Sequence, residues 1–359
     1  MPARNPANRP HTPTSDAHEA SAYKASWIDR LLATVERLPV PYWLVYLALS
    51  VVEVAVLHIV GWIDGWVPPF QFERFALLFP LWTWGPLTAI TYLDSVALAA
   101  MREFRPLLKV DDEGVRRLEY EFTTMPSRPV IISGLLWSAT YAIICYVLIP
   151  AWADLYSVGP LALTIGIAAG LFAFSTGSTI YYHTIRQLRL VSQTVARVST
   201  FDLFRLDPVY AFSRLTAQTG LAWIFLLSIT LLLFPSRLNP IPMIVLSVFQ
   251  IALALSAFVL PLWSVHKRLV TEKRALTAGI SSRVEAAIRR LHRHLDEDDL
   301  ARIVDVKDAF AALAAERDVV DKIPTWPWRG GTLGGILSAL ALPIVLFLIQ
   351  LSLQRWLAP

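Results

Sequence analysis

Residues 264–323 read SVHKRLVTEKRALTAGISSRVEAAIRRLHRHLDEDDLARIVDVKDAFAALAAERDVVDKI. This charged segment leaves one apolar run, 241–263, and feeds another, 331–353, so it begins and ends at the same face of a bilayer. Leu269, Leu276, Ile280, Val284, Ile288, Leu291 and Leu295 fit one face of a 3.6-residue period. Ile303, Val306, Phe310, Leu313 and Val320 follow a 3-4 alternation interrupted at Arg317. Between the two runs, Asp296, Glu297, Asp298 and Asp299 supply side-chain caps and negative charge where a helix begins. Pro324 disfavours helical backbone at Ile323. The pattern predicts an antiparallel helical hairpin that continues the span before it and returns to start the span after it. At about 1.5 Å per residue each arm reaches roughly 35–45 Å from the bilayer.

Outward from this segment the chain is dominated by lipid-compatible sequence. It is 55% hydrophobic and 17% charged, against about 25% charged in soluble domains, and its mean hydropathy is +0.50. Seven stretches have the length and composition of membrane spans: 42–62, 75–100, 130–152, 161–182, 215–233, 241–263 and 331–353. Trp43, Trp62, Trp66, Trp152, Trp263, Trp326, Trp328 and Trp356 fall at their ends, where aromatic belts sit. Pro80 and Pro86 predict a kink in the second. Lys and Arg decide the orientation. With the N-terminus inside, the cytoplasmic parts hold 29 of them and the remainder holds 3, namely Arg74, Arg237 and Arg355. The expected fold is an all-α polytopic membrane protein with seven transmembrane helices, N-terminus cytoplasmic and C-terminus outside. The cytoplasmic hairpin lies between helices six and seven, and the expected location is the cell (inner) membrane.

The remaining layout follows from composition. Residues 1–22, rich in Pro, Ala, Asn and Thr, are expected to be a disordered tail. Residues 23–40 place Trp27, Ile28, Leu31, Leu32, Val35 and Leu38 on one stripe against Lys24, Arg30 and Arg37. That is either an interfacial amphipathic helix or a short helix capping the bundle. A six-helix membrane region, 41–263, has cytoplasmic loops at 101–129 and 183–214. The first contains a charged helix-like patch, 111–120; the second extends the fourth span through Arg186, Leu190 and Val195. It then alternates over 199–208, as a short strand or an interfacial elbow. Residues 324–359 hold an interfacial anchor built on Trp326 and Trp328, then the seventh span.

Candidate functional residues are few. Glu53 and Asp94 are the carboxylates inside spans, where a charge costs about 2.5–3.5 kcal/mol on insertion scales and often marks function. They either line a polar crevice for protons or small cations, or stay hydrogen-bonded to neighbouring helices and interfacial water. Ser175, Thr176, Ser178 and Thr179 either line a water path or bond back to their own helix. Gly166 and Gly170, and the rows Gly330/Gly334 and Gly331/Gly335, are small-residue ridges for helix packing or self-association. His183 and His266 fall at cytoplasmic span ends, where interfacial water is a commoner partner than a haem.

Enzyme signatures are missing: the chain has no HExxH pair, no GxSxG turn and no GxxxxGK[ST] loop. Its single cysteine, Cys145, excludes a disulfide framework and a cysteine-based zinc site. The basic residues are spread over every inner loop, as topology requires, which argues against nucleic acid. The sequence therefore predicts no catalytic residue, no metal and no cofactor. The expected role is a non-enzymatic signal-relaying or scaffold protein, whose 264–323 hairpin meets a cytoplasmic protein or its own copies. The alternative is a proton or small-cation channel or transporter using Glu53 and Asp94.

Overall fold

The computed structural model describes residues 23–153, 159–198, 203–204, 206–233, 241–296, 300–328, 331, 334–341, 345, 349 and 352. Among the described residues nine named α-helices run in order: α1 Trp27–Glu36, α2 Tyr42–Ile63, α3 Leu78–Phe104, α4 Asp112–Thr123, α5 Ser127–Ala153, α6 Pro160–Ala196, α7 Asp207–Leu233, α8 Ile241–Asp296 and α9 Leu300–Asp321. The described residues within 331–352 are helical too. Among the described residues there is no strand; a lone bridge, Ala25 to Pro126, ties the entry of α1 to the start of α5. The expected tail at 1–22, the acidic residues 297–299, the loops 154–158 and 234–240, Gly330, Trp356 and most of the expected seventh span lie outside the described residues. In the 199–208 stretch, Leu203 and Phe204 lie in a turn and α7 begins at Asp207.

Among the described residues five helices are long and apolar enough to cross a membrane: α2, residues Ser127–Val147 of α5, α6, α7, and Ser247–Arg293 of α8. Helix α3 has the length, but Trp82, Thr83, Trp84, Thr88, Thr91 and Asp94 lower its hydropathy. Its place in the packing explains the composition. Leu87, Ile90, Leu93, Ala97, Met101 and Phe104 are all fully buried, at 0% exposure, so α3 meets protein where its neighbours meet the surroundings. The peripheral helices expose the opposite: Val51, Val52, Leu135, Leu136, Val245 and Val248 form an apolar exterior that a bilayer would cover. Pro80 stands in the first turn of α3, where a missing N–H costs little, and Pro86 is the one inside the helix.

Two apolar clusters hold the bundle. One joins Phe104, Phe122, Phe212, Val191, Val265 and Leu269, with the Phe104 and Phe212 rings 4.6 Å apart. The other joins Ile28, Leu32, Leu87, Met125, Tyr181 and Trp223. The apolar stripe of α1 therefore packs on protein, with Ile28, Leu32 and Val35 all buried. Ser26 and Asp29 form a capping box at its start.

Helix α8 runs unbroken for 56 residues through Pro261, about 84 Å at 1.5 Å per residue. Lys273 Nζ donates to the carbonyls of Asp321 (2.7 Å) and Ile323 (2.9 Å), and Arg283 faces Glu316 at 3.8 Å. Ile280 and Val320 are buried; past them, no described residue of 281–296 or 303–319 is.

Candidate functional site

The densest polar constellation lies where α1, α3, α4 and α6 meet. Asp94 on α3 bonds His183 on α6, Oδ1 to Nε2, at 2.8 Å, with the imidazole 2% exposed and the carboxylate 13%. Both residues lie well inside their helices, which continue past them to Phe104 and Ala196. Asp29 and Glu36 of α1 are within electrostatic range of this pair. Asp29 Oδ2 accepts from Ser26 N (2.9 Å), Ser26 Oγ (2.7 Å) and Met125 N (3.0 Å). Burial pushes the Asp29 carboxyl up, opposed by its hydrogen bonds to Ser26 and Met125. Burial likewise raises Glu36.

One turn beyond His183, Arg186 donates to the carbonyl of Glu121 and to the hydroxyl of Tyr23, with its guanidinium over the Tyr23 ring. Tyr23 donates onward to the carbonyl of Thr124 at 2.7 Å, and Tyr120 donates to the Tyr23 carbonyl at 2.9 Å. Burial raises the Tyr23 phenol, so it stays a neutral donor. Arg186 belongs to a wider pattern in which a cation satisfies the last carbonyls of another helix. Arg268 of α8 donates to Ala196 (3.1 Å) and Val198 at the end of α6. Lys273 does the same at the end of α9.

Several buried polar atoms beside the Asp94–His183 pair have no partner among the described residues: His183 Nδ1, both side-chain amide atoms of Gln187, and Asp29 Oδ1. Gln187 is 1% exposed. Buried atoms of this kind normally find a partner, and each one left unmade carries a desolvation cost.

The remaining sequence candidates resolve as follows. Glu53 on α2 accepts from Trp84 Nε1 (2.7 Å) and Thr83 Oγ1 (3.3 Å) of α3 and does not join Asp94. The hydroxyls of 175–179 bond back along α6: Thr176 to Phe172 O (2.9 Å), Ser178 to Ser175 O (2.7 Å) and Thr179 to Thr176 O (2.6 Å). Thr176, Ser178 and Thr179 are fully buried, and Ser175 fills the space beside Gly134 of α5. Gly170 is a packing glycine, since a Cβ there would overlap Tyr141, while Gly166, Gly331, Gly334 and Gly335 face open space. The anchor is an aromatic ladder: His266 stacks on Trp326 (3.9 Å), Trp326 on Trp328 (4.3 Å) and Trp328 on Phe258 (5.0 Å). His266 also bonds the Thr325 carbonyl at 3.0 Å.

The Asp94–His183 partnership, Asp29, Arg186 and Gln187 were not among the sequence candidates. A signal did exist for the first: both residues fall near the ends of expected spans that finish at the same face, so the sequence puts them at a common depth. Asp64 is another. From the end of α2 its Oδ2 accepts from Ala162 N (2.7 Å) and caps α6, whose own N-cap is Gly159. Among the described residues, no group of three His, Cys, Asp or Glu side chains converges to hold a metal. Comparison with protein-family models, curated proteins and solved structures returns no match.

Proposed function

We propose that this chain is a seven-span inner-membrane protein that relays or scaffolds signals through a cytoplasmic helical hairpin. The N-terminus is cytoplasmic and the C-terminus outside, as the 29 to 3 division of Lys and Arg requires. The observation that carries the reading is α8, one helix that packs Ala257, Phe258, Val265 and Leu269 in the bundle and then runs on as a stalk. The ladder from Phe258 to His266 fastens the returning chain to the same helix. Rotation or tilt of α8 in the bilayer therefore moves both arms together. Pro261, which removes one helical hydrogen bond, is the natural place for a bend between the two halves.

The channel reading has less support. The hydroxyls of Thr176, Ser178 and Thr179 are spent on carbonyls of their own helix, and Glu53 is bonded to α3.

The test uses full-length protein in nanodiscs with spin labels at Ser282→Cys and Gln71→Cys in a Cys145→Ala background. Changing bilayer thickness is expected to shift the distance between them. Parallel proteoliposomes are expected to pass no H⁺, K⁺, Na⁺ or Cl⁻. A distance indifferent to the bilayer overturns the relay; flux that is lost in Glu53→Gln establishes the transporter instead.

A further inference from the structure

We infer that the stalk is half of an interface: two copies of this chain join their hairpins, side by side in one membrane, as an antiparallel four-helix bundle. The inference rests on the relay reading above and specifies its partner.

The first observation is an unfinished core. No described residue of 281–296 or 303–319 is buried, yet Ile288, Leu295, Val304, Phe310 and Val319 are apolar and 39–56% exposed. Two helices side by side bury one seam and leave the other flanks wet; four close the core on all sides.

The second observation is charge, and it says what covers that core. Residues 264–295 carry eight Lys/Arg against two Asp/Glu, whereas 296–323 carry four against nine. The hairpin thus has a basic arm and an acidic arm. Among the described residues, a single ion pair, Arg283–Glu316 at 3.8 Å, crosses between them. Arg289 pairs with Glu285 of its own helix, and Lys322 with Asp318.

A two-fold axis along the stalk sets each basic arm beside the acidic arm of the partner and keeps like arms on the diagonal. That arrangement is self-complementary, as an isologous dimer requires. It also keeps both sets of spans in one bilayer with one orientation.

The test measures mass by light scattering for the full chain in nanodiscs and follows dimer dissociation on dilution. Wild type is expected to be a dimer. Ile288→Gln/Phe310→Gln alters side chains already exposed in one copy, so each protomer should keep its fold while dimer affinity falls about tenfold or more. Raising salt is expected to weaken the wild-type dimer as well. A monomeric wild type overturns the inference, as does a dimer untouched by Ile288→Gln/Phe310→Gln. Dissociation by Gly334→Leu/Gly335→Leu with the hairpin variant silent also overturns it, by assigning the contact to the last helix. A monomer whose stalk binds vesicles containing anionic lipid overturns it in favour of the membrane surface. None of these outcomes alters the 282-to-71 distance response, so this inference can fail while the relay stands.

Discussion

His183 and Asp94 each supply what the other lacks in a buried site, and removing one leaves the other unpaired. His183→Ala is expected to destabilise the fold by about 1–3 kcal/mol, the usual cost of leaving a buried hydrogen-bonding group unsatisfied. Thermal unfolding in detergent reads it. Gln187 is the converse case. Both its amide atoms lack a partner among the described residues, so Gln187→Met at near-constant volume is expected to raise the melting temperature, gaining up to about 1–3 kcal/mol. A fall instead would mean that a bound water satisfies the amide. Asp29 provides a pH signature outside the spans. Its folded carboxyl binds a proton more tightly than the ordinary value of 3.8, because burial disfavours the charge. The stability it adds is therefore full below that value and is lost as pH climbs through the raised one. The melting-temperature advantage of wild type over Asp29→Asn is expected to be greatest in acid and to shrink as pH rises through that window. A difference independent of pH would refute the assignment.

Three helix C-termini in this protein, those of α4, α6 and α9, receive side-chain donors from another helix, and Lys273 is the clearest case. It gives two hydrogen bonds to carbonyls at the end of α9 from a position on α8. Lys273→Met keeps the aliphatic stem and removes the donor. It is expected to cost about 1–3 kcal/mol locally, as charged hydrogen bonds do, seen as faster hydrogen exchange across the last turn of α9 with the bundle unchanged. At this scale the sequence was partly legible. The helical periodicity of the 264–323 segment, seen as α8 to Asp296 and α9 from Leu300, the extension of α6 through Val195 and the helix-like patch at 111–120, where α4 lies, were readable from the sequence. The partners of each helix were not. Neighbours in a bundle are not neighbours in the chain, so nothing local says that α3 packs on α6 and α7, or that Arg268 reaches Ala196. Small-residue patterns are likewise silent about which neighbour each glycine meets. Gly166, half of a GxxxG pair, faces open space, while Gly220, in no such pair, lets the carbonyl of Ala254 approach to 3.2 Å of where a Cβ would stand. Polar intramembrane residues were legible as anomalies, Glu53 and Asp94 both being visible, but their bonding was set by tertiary contacts.

The whole molecule turns on α3, because its crossing sets the side on which everything after it lies. Composition alone does not qualify it: tryptophan, threonine, proline and Asp94 displace the aliphatic residues that mark a span. Its packing argues the other way. A helix enclosed by α2, α6 and α7 has no need of lipid-facing side chains, and its polar groups are met by protein, as Trp84 meets Glu53 and Trp82 meets Thr230. If α3 crosses, the loop before it and the charged segment containing α4 lie on opposite sides, and Phe70 and Lys109 report them. Phe70 is 91% exposed. In intact cells carrying Cys145→Ala, Phe70→Cys is expected to react with a membrane-impermeant maleimide from outside. Lys109→Cys and Ser282→Cys are expected to react only after permeabilisation. Should Phe70→Cys and Lys109→Cys react on the same side, α3 does not cross. The positive charges of 1–41 would then lie across the membrane from those of 101–129, 183–214 and 264–330, against the rule that oriented the chain. Opposite sides, with the stalk inside, place the basic segments 101–129, 183–214 and 264–330 together in the cytoplasm, where the proposed relay would meet its partner.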